Sequence, residues 1–240
     1  MNPQIVMPAT EGAHNAELGR SISRLGQART YEDLSTVIIC PTRGTIHAKV
    51  VQSWMGLMRP MNQKVIGPLF GIGMEVGHSY NSMIEGVLGS PELSKWKYVL
   101  TIEEDNGPPP DGLLKLYENI EQFEGLSGMY WTKGQEGQPM IYGNPSVLPK
   151  NFIPQMPIPN CIMRCNGIGM GFALFKMELF KKITPPWFET MQKFEEGKGT
   201  KCYTQDLAFC EKASAAAGAR FGVDTRVRVG HYDADNDIWW

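Results

Sequence analysis

The apolar positions of this chain alternate between unbroken short runs and runs spaced by three and four. Thr36-Val37-Ile38-Ile39-Cys40 is continuous and β-branched, and Pro41-Thr42-Arg43-Gly44 turns it into a loop. A short unbroken run of this kind predicts a strand buried on both faces. Ile46, Val50, Trp54 and Leu57 then recur at helical spacing. Strand, loop and helix in that order open a nucleotide-binding α/β half. Residues 64–76 hold a second strand, weakened by Gly67, Pro68, Gly71 and Gly73. Tyr80, Met83, Ile84, Val87 and Leu88 lie on one face of an amphipathic helix. Tyr98 to Ile102 repeats the buried-strand pattern and stops in Glu103-Glu104-Asp105-Asn106, with Gly107 and Pro108-Pro109-Pro110 behind it.

Asp111 is placed to cap the next helix, whose apolar face is Leu113, Leu116, Tyr117 and Ile120. Gly128–Trp131 and Met140–Tyr142 read as two strands around a Gly/Gln-rich turn. Five prolines between 143 and 163 predict a long ordered loop over the site. Asn166-Gly167-Ile168-Gly169-Met170-Gly171 precedes a Phe172–Phe175 strand and a helix from Met177. Residues 185–201 read as another loop. Asp206 opens a helix with Leu207, Cys210, Ala213 and Ala217 inward, closed by Gly218. Phe221, Val223, Val227 and Val229 alternate with polar positions, as in a half-buried strand, and His231 follows. The pattern predicts an α/β fold with a mixed, mostly parallel central sheet flanked by helices. Residues 1–34, with a thin helical face from Ala16 to Arg29, are an N-terminal extension, and 232–240 are an acidic tail ending in Trp239-Trp240 that folds over the site.

Composition narrows the class. The 240 residues are 42% apolar and 20% charged, a protein with a substantial core. The net charge of -2 argues against a broad grip on nucleic-acid backbone. Five cysteines without a dense framework indicate reduced thiols, hence a cytoplasmic protein. Cys161 and Cys165 lack a second ligand pair, so buried thiols are favoured over a metal site. No basic segment leads into an apolar block at the N-terminus, and no apolar stretch is long enough to span a bilayer.

The candidate chemistry sits at strand ends. Ligands of open α/β sheets bind at the carboxyl ends of strands, where Glu103, Glu104 and Asp105 stand. Strand alternation sends Glu103 and Asp105 to one side, where they could share a hard cation; the alternative is a solvated acidic turn. His231 is either an ordinary histidine or the imidazole completing such a site. Asp206 is either a helix cap or a base for an incoming hydroxyl. The glycines from 167 to 171 form a tight turn or admit a sugar or diphosphate close to the backbone. Trp187 and Phe188 either offer a stacking face or anchor their loop in the core.

These pieces in this order resemble a GT-A-fold glycosyltransferase, similar to family 2 enzymes and to compact phage and prokaryotic members. The resemblance runs over residues 35–231, through Val37–Arg43, Ile102–Asp111, Asn166–Gly169, Pro186–Phe188, Gln205–Cys210, Val223–Thr225 and Val229–His231. It implies one GT-A-like domain with a Rossmann-like N-terminal half: 35–110 for the nucleotide and 111–231 for the acceptor. It implies transfer of a sugar from a nucleotide-diphospho-sugar to a hydroxyl acceptor (glycan, lipid, protein or modified nucleobase), with inversion. It implies Mn²⁺ or Mg²⁺ held by Asp105 and His231, with Glu103 as a further metal or ribose contact. Pro41, Thr42, Arg43, Glu104, Asn166, Gly167 and Trp187 would surround the donor, and Asp206 would act as base. The family's Asp-x-Asp appears here as Glu103-Glu104-Asp105, its Glu-Asp pair as Gln205-Asp206, and its Ala-Arg-Asn triplet as Ser79-Tyr80-Asn81. A sugar-phosphate nucleotidyltransferase shares the layout, but Cys40-Pro41-Thr42-Arg43-Gly44 lacks its glycine density. A non-catalytic nucleotide-sugar-binding protein is the third reading.

Overall fold

The computed structural model describes residues 33–196 and 199–240. The extension proposed for residues 1–34, with its helix from Ala16 to Arg29, lies almost wholly outside them. In chain order the elements are β1 (Thr36–Thr42), α1 (Ala48–Met55), β2 (Val65–Ile72), α2 (Val76–Gly89), β3 (Tyr98–Ile102), β4 (Asn106–Gly107), α3 (Gly112–Asn119) and β5 (Gly125–Met129). There follow β6 (Ile141–Tyr142), β7 (Ile162–Cys165), β8 (Gly167–Ile168), β9 (Phe172–Lys176) and α4 (Met177–Lys182). The chain ends with β10 (Met191–Glu195), β11 (Gly199–Tyr203), α5 (Gln205–Ala217), β12 (Phe221–Arg228), β13 (Gly230–Asp233) and β14 (Ile238–Trp239).

Seven strands form the central sheet in the order β2-β1-β3-β9-β5-β12-β7. β2, β1, β3, β5 and β12 run one way, while β9 and β7 run the other. All seven residues of β1 are buried, as its unbroken run requires of a strand covered on both faces. Val37 and Ile39 enter one core with Tyr80, Ile84 and Val87 of α2; Ile38 and Cys40 enter the other with Leu113, Leu116 and Tyr117 of α3. The strand period of two thus feeds two helix layers. No helix among the described residues is long and apolar enough to cross a membrane.

Several elements depart from the sequence reading, each for a local reason. Residues 185–201 are not all loop: β10 and β11 pair as an antiparallel hairpin from Met191↔Tyr203 to Glu195↔Gly199. Their residues do not alternate in polarity, so only backbone pairing marks them. Asp111 makes no capping bond; its carboxylate is buried against Lys115 Nζ at 2.8 Å. Helix α5 buries Ala208 and Phe209 besides Cys210 and Ala213, and Leu207 is only half-buried. Asp224 is fully buried, because β12 lies inside the sheet and Arg226 Nη2 neutralises it at 2.6 Å.

The tail is a strand, not a loose cover. β14 pairs with β13, which pairs in turn with β4 directly behind the acids. A Cβ at Gly107 or Gly230 would stand 2.5 or 2.6 Å from the Trp239 ring, so glycine is required for that ring to lie flat there.

Candidate functional site

β1 and β3 are neighbouring parallel strands, so their carboxyl ends deliver Thr42 and the acids to one edge. Beyond Ile102 the chain turns, with Asn106 N donating to Glu103 O at 3.0 Å, and the three carboxylates part company. Glu104 turns to β1. It accepts from Thr42 Oγ1 at 2.6 Å, Arg43 N at 2.8 Å and Arg43 Nε at 2.5 Å. Burial works to raise its carboxyl, but the Thr42 and Arg43 bonds outweigh that and hold it below the usual range.

Asp105 faces the other way, toward β13. Lys133 Nζ lies 2.5 Å from its Oδ2 and His231 Nε2 lies 3.4 Å from the same oxygen. Burial again pushes upward, and bonding and charge from His231 and Lys133 outweigh it, bringing Asp105 to about 2. His231 is fixed from three sides. Its backbone exchanges two 3.0 Å bonds with Trp240, and its Nδ1 lies 2.8 Å from the Trp131 carbonyl. A carbonyl only accepts, so Nδ1 carries a proton toward it, and Nε2 is the ring nitrogen that faces Asp105. Trp131 belongs to the short pairing that joins it to Pro139.

Glu103 points inward and accepts from Tyr80 Oη at 3.1 Å. Burial, then the charges of Asp105 and Asp206, push its carboxyl up to about 7. Its folded pKa therefore exceeds its unfolded value of 4.5. Between those values the folded protein holds a proton that the unfolded chain has lost, so stability falls as pH rises. Glu103→Gln removes that loss: we expect it to gain roughly 2 kcal/mol over wild type at about pH 8, after discounting for partial solvent contact. The gain should vanish at about pH 4, as read by metal-free urea unfolding. A difference independent of pH would contradict this account.

Asp206 is nearly buried at the start of α5. The capping residue is Thr204, not Asp206. Thr204 Oγ1 donates to Asp206 Oδ1, as does Leu207 N at 2.9 Å. Burial raises the Asp206 carboxyl against those bonds. Pro41, Thr42, Arg43, Glu103, Glu104, Asp105 and Lys133 line one cleft of about 470 Å³, with Met74 and Val76. A second hollow, of about 500 Å³, lies beside Trp131, Arg228 and Trp240, with Pro157 and Pro159 from the proline-rich loop.

Three of the residues assigned to the donor lie elsewhere. Trp187 is 6% exposed, and its Nε1 donates to Phe180 O at 2.9 Å and Ile183 O at 3.1 Å, so its ring has no free stacking face. Asn81 holds that loop, accepting from Trp187 N and Phe188 N and donating to Phe188 O. Asn166 Nδ2 is spent on Asn151 O at 2.8 Å. Gly167 makes close approach to protein: a Cβ there would stand 2.7 Å from Leu207 and 2.9 Å from Phe152. The sequence reading missed Lys133, Tyr80 as a partner of Glu103, and Thr204 as a partner of Asp206. Tyr80 looked like one more position of an apolar stripe, and Lys133 sits in a turn with no motif. Only Thr204 carried a signal, a hydroxyl residue just ahead of a helix.

Asp105 and His231 fit a divalent cation. A carboxylate oxygen and an oriented imidazole nitrogen 3.4 Å apart are a suitable donor pair for Mn²⁺ or Mg²⁺. Among the described residues no group of three His, Cys, Asp or Glu side chains is placed to hold a metal ion, and Glu103 Oε1 is engaged by Tyr80 Oη. Ions at phosphate sites take few protein ligands and leave the other positions to phosphate and water.

No protein-family model matches the chain, and no curated protein does. Among solved structures, "Crystal Structure of A197 from STIV" matches with a TM-score of 0.59 and 16% identity, over 85% of this chain and 92% of that one. The likeness is one of fold: a mixed α/β domain around a central sheet.

Proposed function

We propose that this chain is a GT-A-type glycosyltransferase that moves a sugar from a nucleotide-diphospho-sugar to a hydroxyl acceptor. The observation that carries the reading is a nucleotide-sized cleft at the ends of β1 and β3, lined by Asp105, which pairs with His231, and by Glu103, on which the charge of the buried Asp206 acts. Pro41, Thr42 and Arg43 would border base and ribose, held in place by Glu104. Asp105 and His231 would hold Mn²⁺ or Mg²⁺. Such an ion, when bound, neutralises charge building on the leaving diphosphate.

In the transfer, the acceptor oxygen forms a bond to the anomeric carbon. The bond from that carbon to the diphosphate oxygen breaks, and its electron pair leaves with the diphosphate. Asp206 takes the hydroxyl proton. Both of its described bonds fall on Oδ1 and orient the carboxylate, so Oδ2 is the oxygen for the acceptor. Burial makes it a stronger base than a solvated aspartate.

The test is calorimetric titration with UDP and with GDP, each with Mn²⁺ and with EDTA. One diphosphate should bind in a metal-dependent manner, and Asp105→Ala should weaken that binding by about 10–100-fold. Absence of binding by either diphosphate, with and without metal, would remove the donor site. Donor binding without transfer over a broad acceptor panel would leave the non-catalytic reading.

A further inference from the structure

Asp105 Oδ2 has two suitors. Lys133 Nζ sits on it at 2.5 Å, while His231 Nε2 stands 3.4 Å away. Lys133 reaches it from a turn closed at its base by Thr132 N on Gln138 O at 2.9 Å and Gln138 N on Thr132 Oγ1 at 2.8 Å. The preceding residue but one, Trp131, supplies the carbonyl that orients His231. One turn therefore fixes the imidazole and places an ammonium against its carboxylate partner. That ammonium occupies the oxygen that a cation shared by Asp105 and His231 would use, and two positive charges on one carboxylate oxygen repel strongly. The Lys133 side chain is 33% exposed and lines the donor cleft, so it has somewhere else to go. Glu104 is matched in the same way by Arg43.

We propose that Lys133 is an internal cation that competes with a divalent ion for Asp105 and moves to the donor diphosphate once that ion binds. The proposal rests on the glycosyltransferase reading of the site. A lysine is a compact point charge on a flexible stem, suited both to a carboxylate and to a phosphate oxygen. Each ligand then prepares the site for the other: the metal frees Lys133, and the diphosphate receives it. Metal and diphosphate bind cooperatively for that reason.

The experiment measures Mn²⁺ affinity without nucleotide, by the electron paramagnetic resonance of free Mn²⁺, for wild type, Lys133→Met, Lys133→Arg and Asp105→Ala. Lys133→Met should bind Mn²⁺ about tenfold more tightly than wild type, while Lys133→Arg keeps the wild-type affinity. In a parallel titration, Lys133→Met should weaken the Mn²⁺-dependent binding of UDP or GDP. Equal or weaker Mn²⁺ binding by Lys133→Met, in a protein whose Mn²⁺ binding Asp105→Ala abolishes, overturns the competition and leaves the metal site standing. Failure of every variant to bind Mn²⁺ overturns the metal site and the competition together.

Discussion

Asp206→Asn is expected to lower kcat by about 10²–10⁴-fold while leaving fold and diphosphate affinity in place. Asparagine keeps the shape of the side chain, and its Oδ1 still accepts from Leu207 N and Thr204 Oγ1. What it loses is the ability to take a proton. Stability should hold or rise, because burial already penalises the ionised form of Asp206. The pH dependence has a definite sign. The base works ionised, so the wild-type rate should fall as pH drops through a pKa raised above that of an ordinary aspartate. Single-turnover transfer with radiolabelled donor would measure the rate, and diphosphate titration would measure binding. Activity within about tenfold of wild type would reduce Asp206 to a first-turn carboxylate of α5.

The centre of the sheet was readable because β1 and β3 are buried on both faces and say so in unbroken apolar runs. Tyr98–Ile102 and Thr36–Cys40 needed no partner to be recognised, and the acids after Ile102 followed from where such a strand ends. Residues whose neighbours are distant in sequence were not readable. Lys133 reaches Asp105 across 28 positions, Tyr80 reaches Glu103 across 23, and Trp131 reaches His231 across 100. Alternation placed Glu103 and Asp105 together, yet the turn after Ile102 sends one to Tyr80 and the other to His231. Glycine was ambiguous in the same way. Gly167 admits close approach, as its lack of a side chain suggested, but what approaches is Leu207 and Phe152. A sequence states that a backbone is bare without stating what lies against it.

Trp187 separates a functional from a structural reading most sharply. Trp187→Ala is expected to cost about 3–5 kcal/mol of stability, the range for truncating a large buried aromatic. The ring packs edge-on to Phe180 at 6.4 Å between centroids, within a cluster that includes Phe188 and Phe209. Its removal leaves a void, and the carbonyls of Phe180 and Ile183 lose their donor at the end of α4. Trp187→Phe should cost less, because much of the volume remains and the lost indole donor accounts for about 1–2 kcal/mol. Urea unfolding measures both. Diphosphate titration at a temperature where the variants stay folded supplies the contrast. A stacking residue would lose nucleotide affinity at little expense in stability, whereas a loop anchor does the reverse. Retained binding with a lowered unfolding midpoint is the expected pair of results, since Asn81 holds the backbone of Trp187 and Phe188 independently of the indole. Weakened binding with an unchanged midpoint would return Trp187 to the donor site.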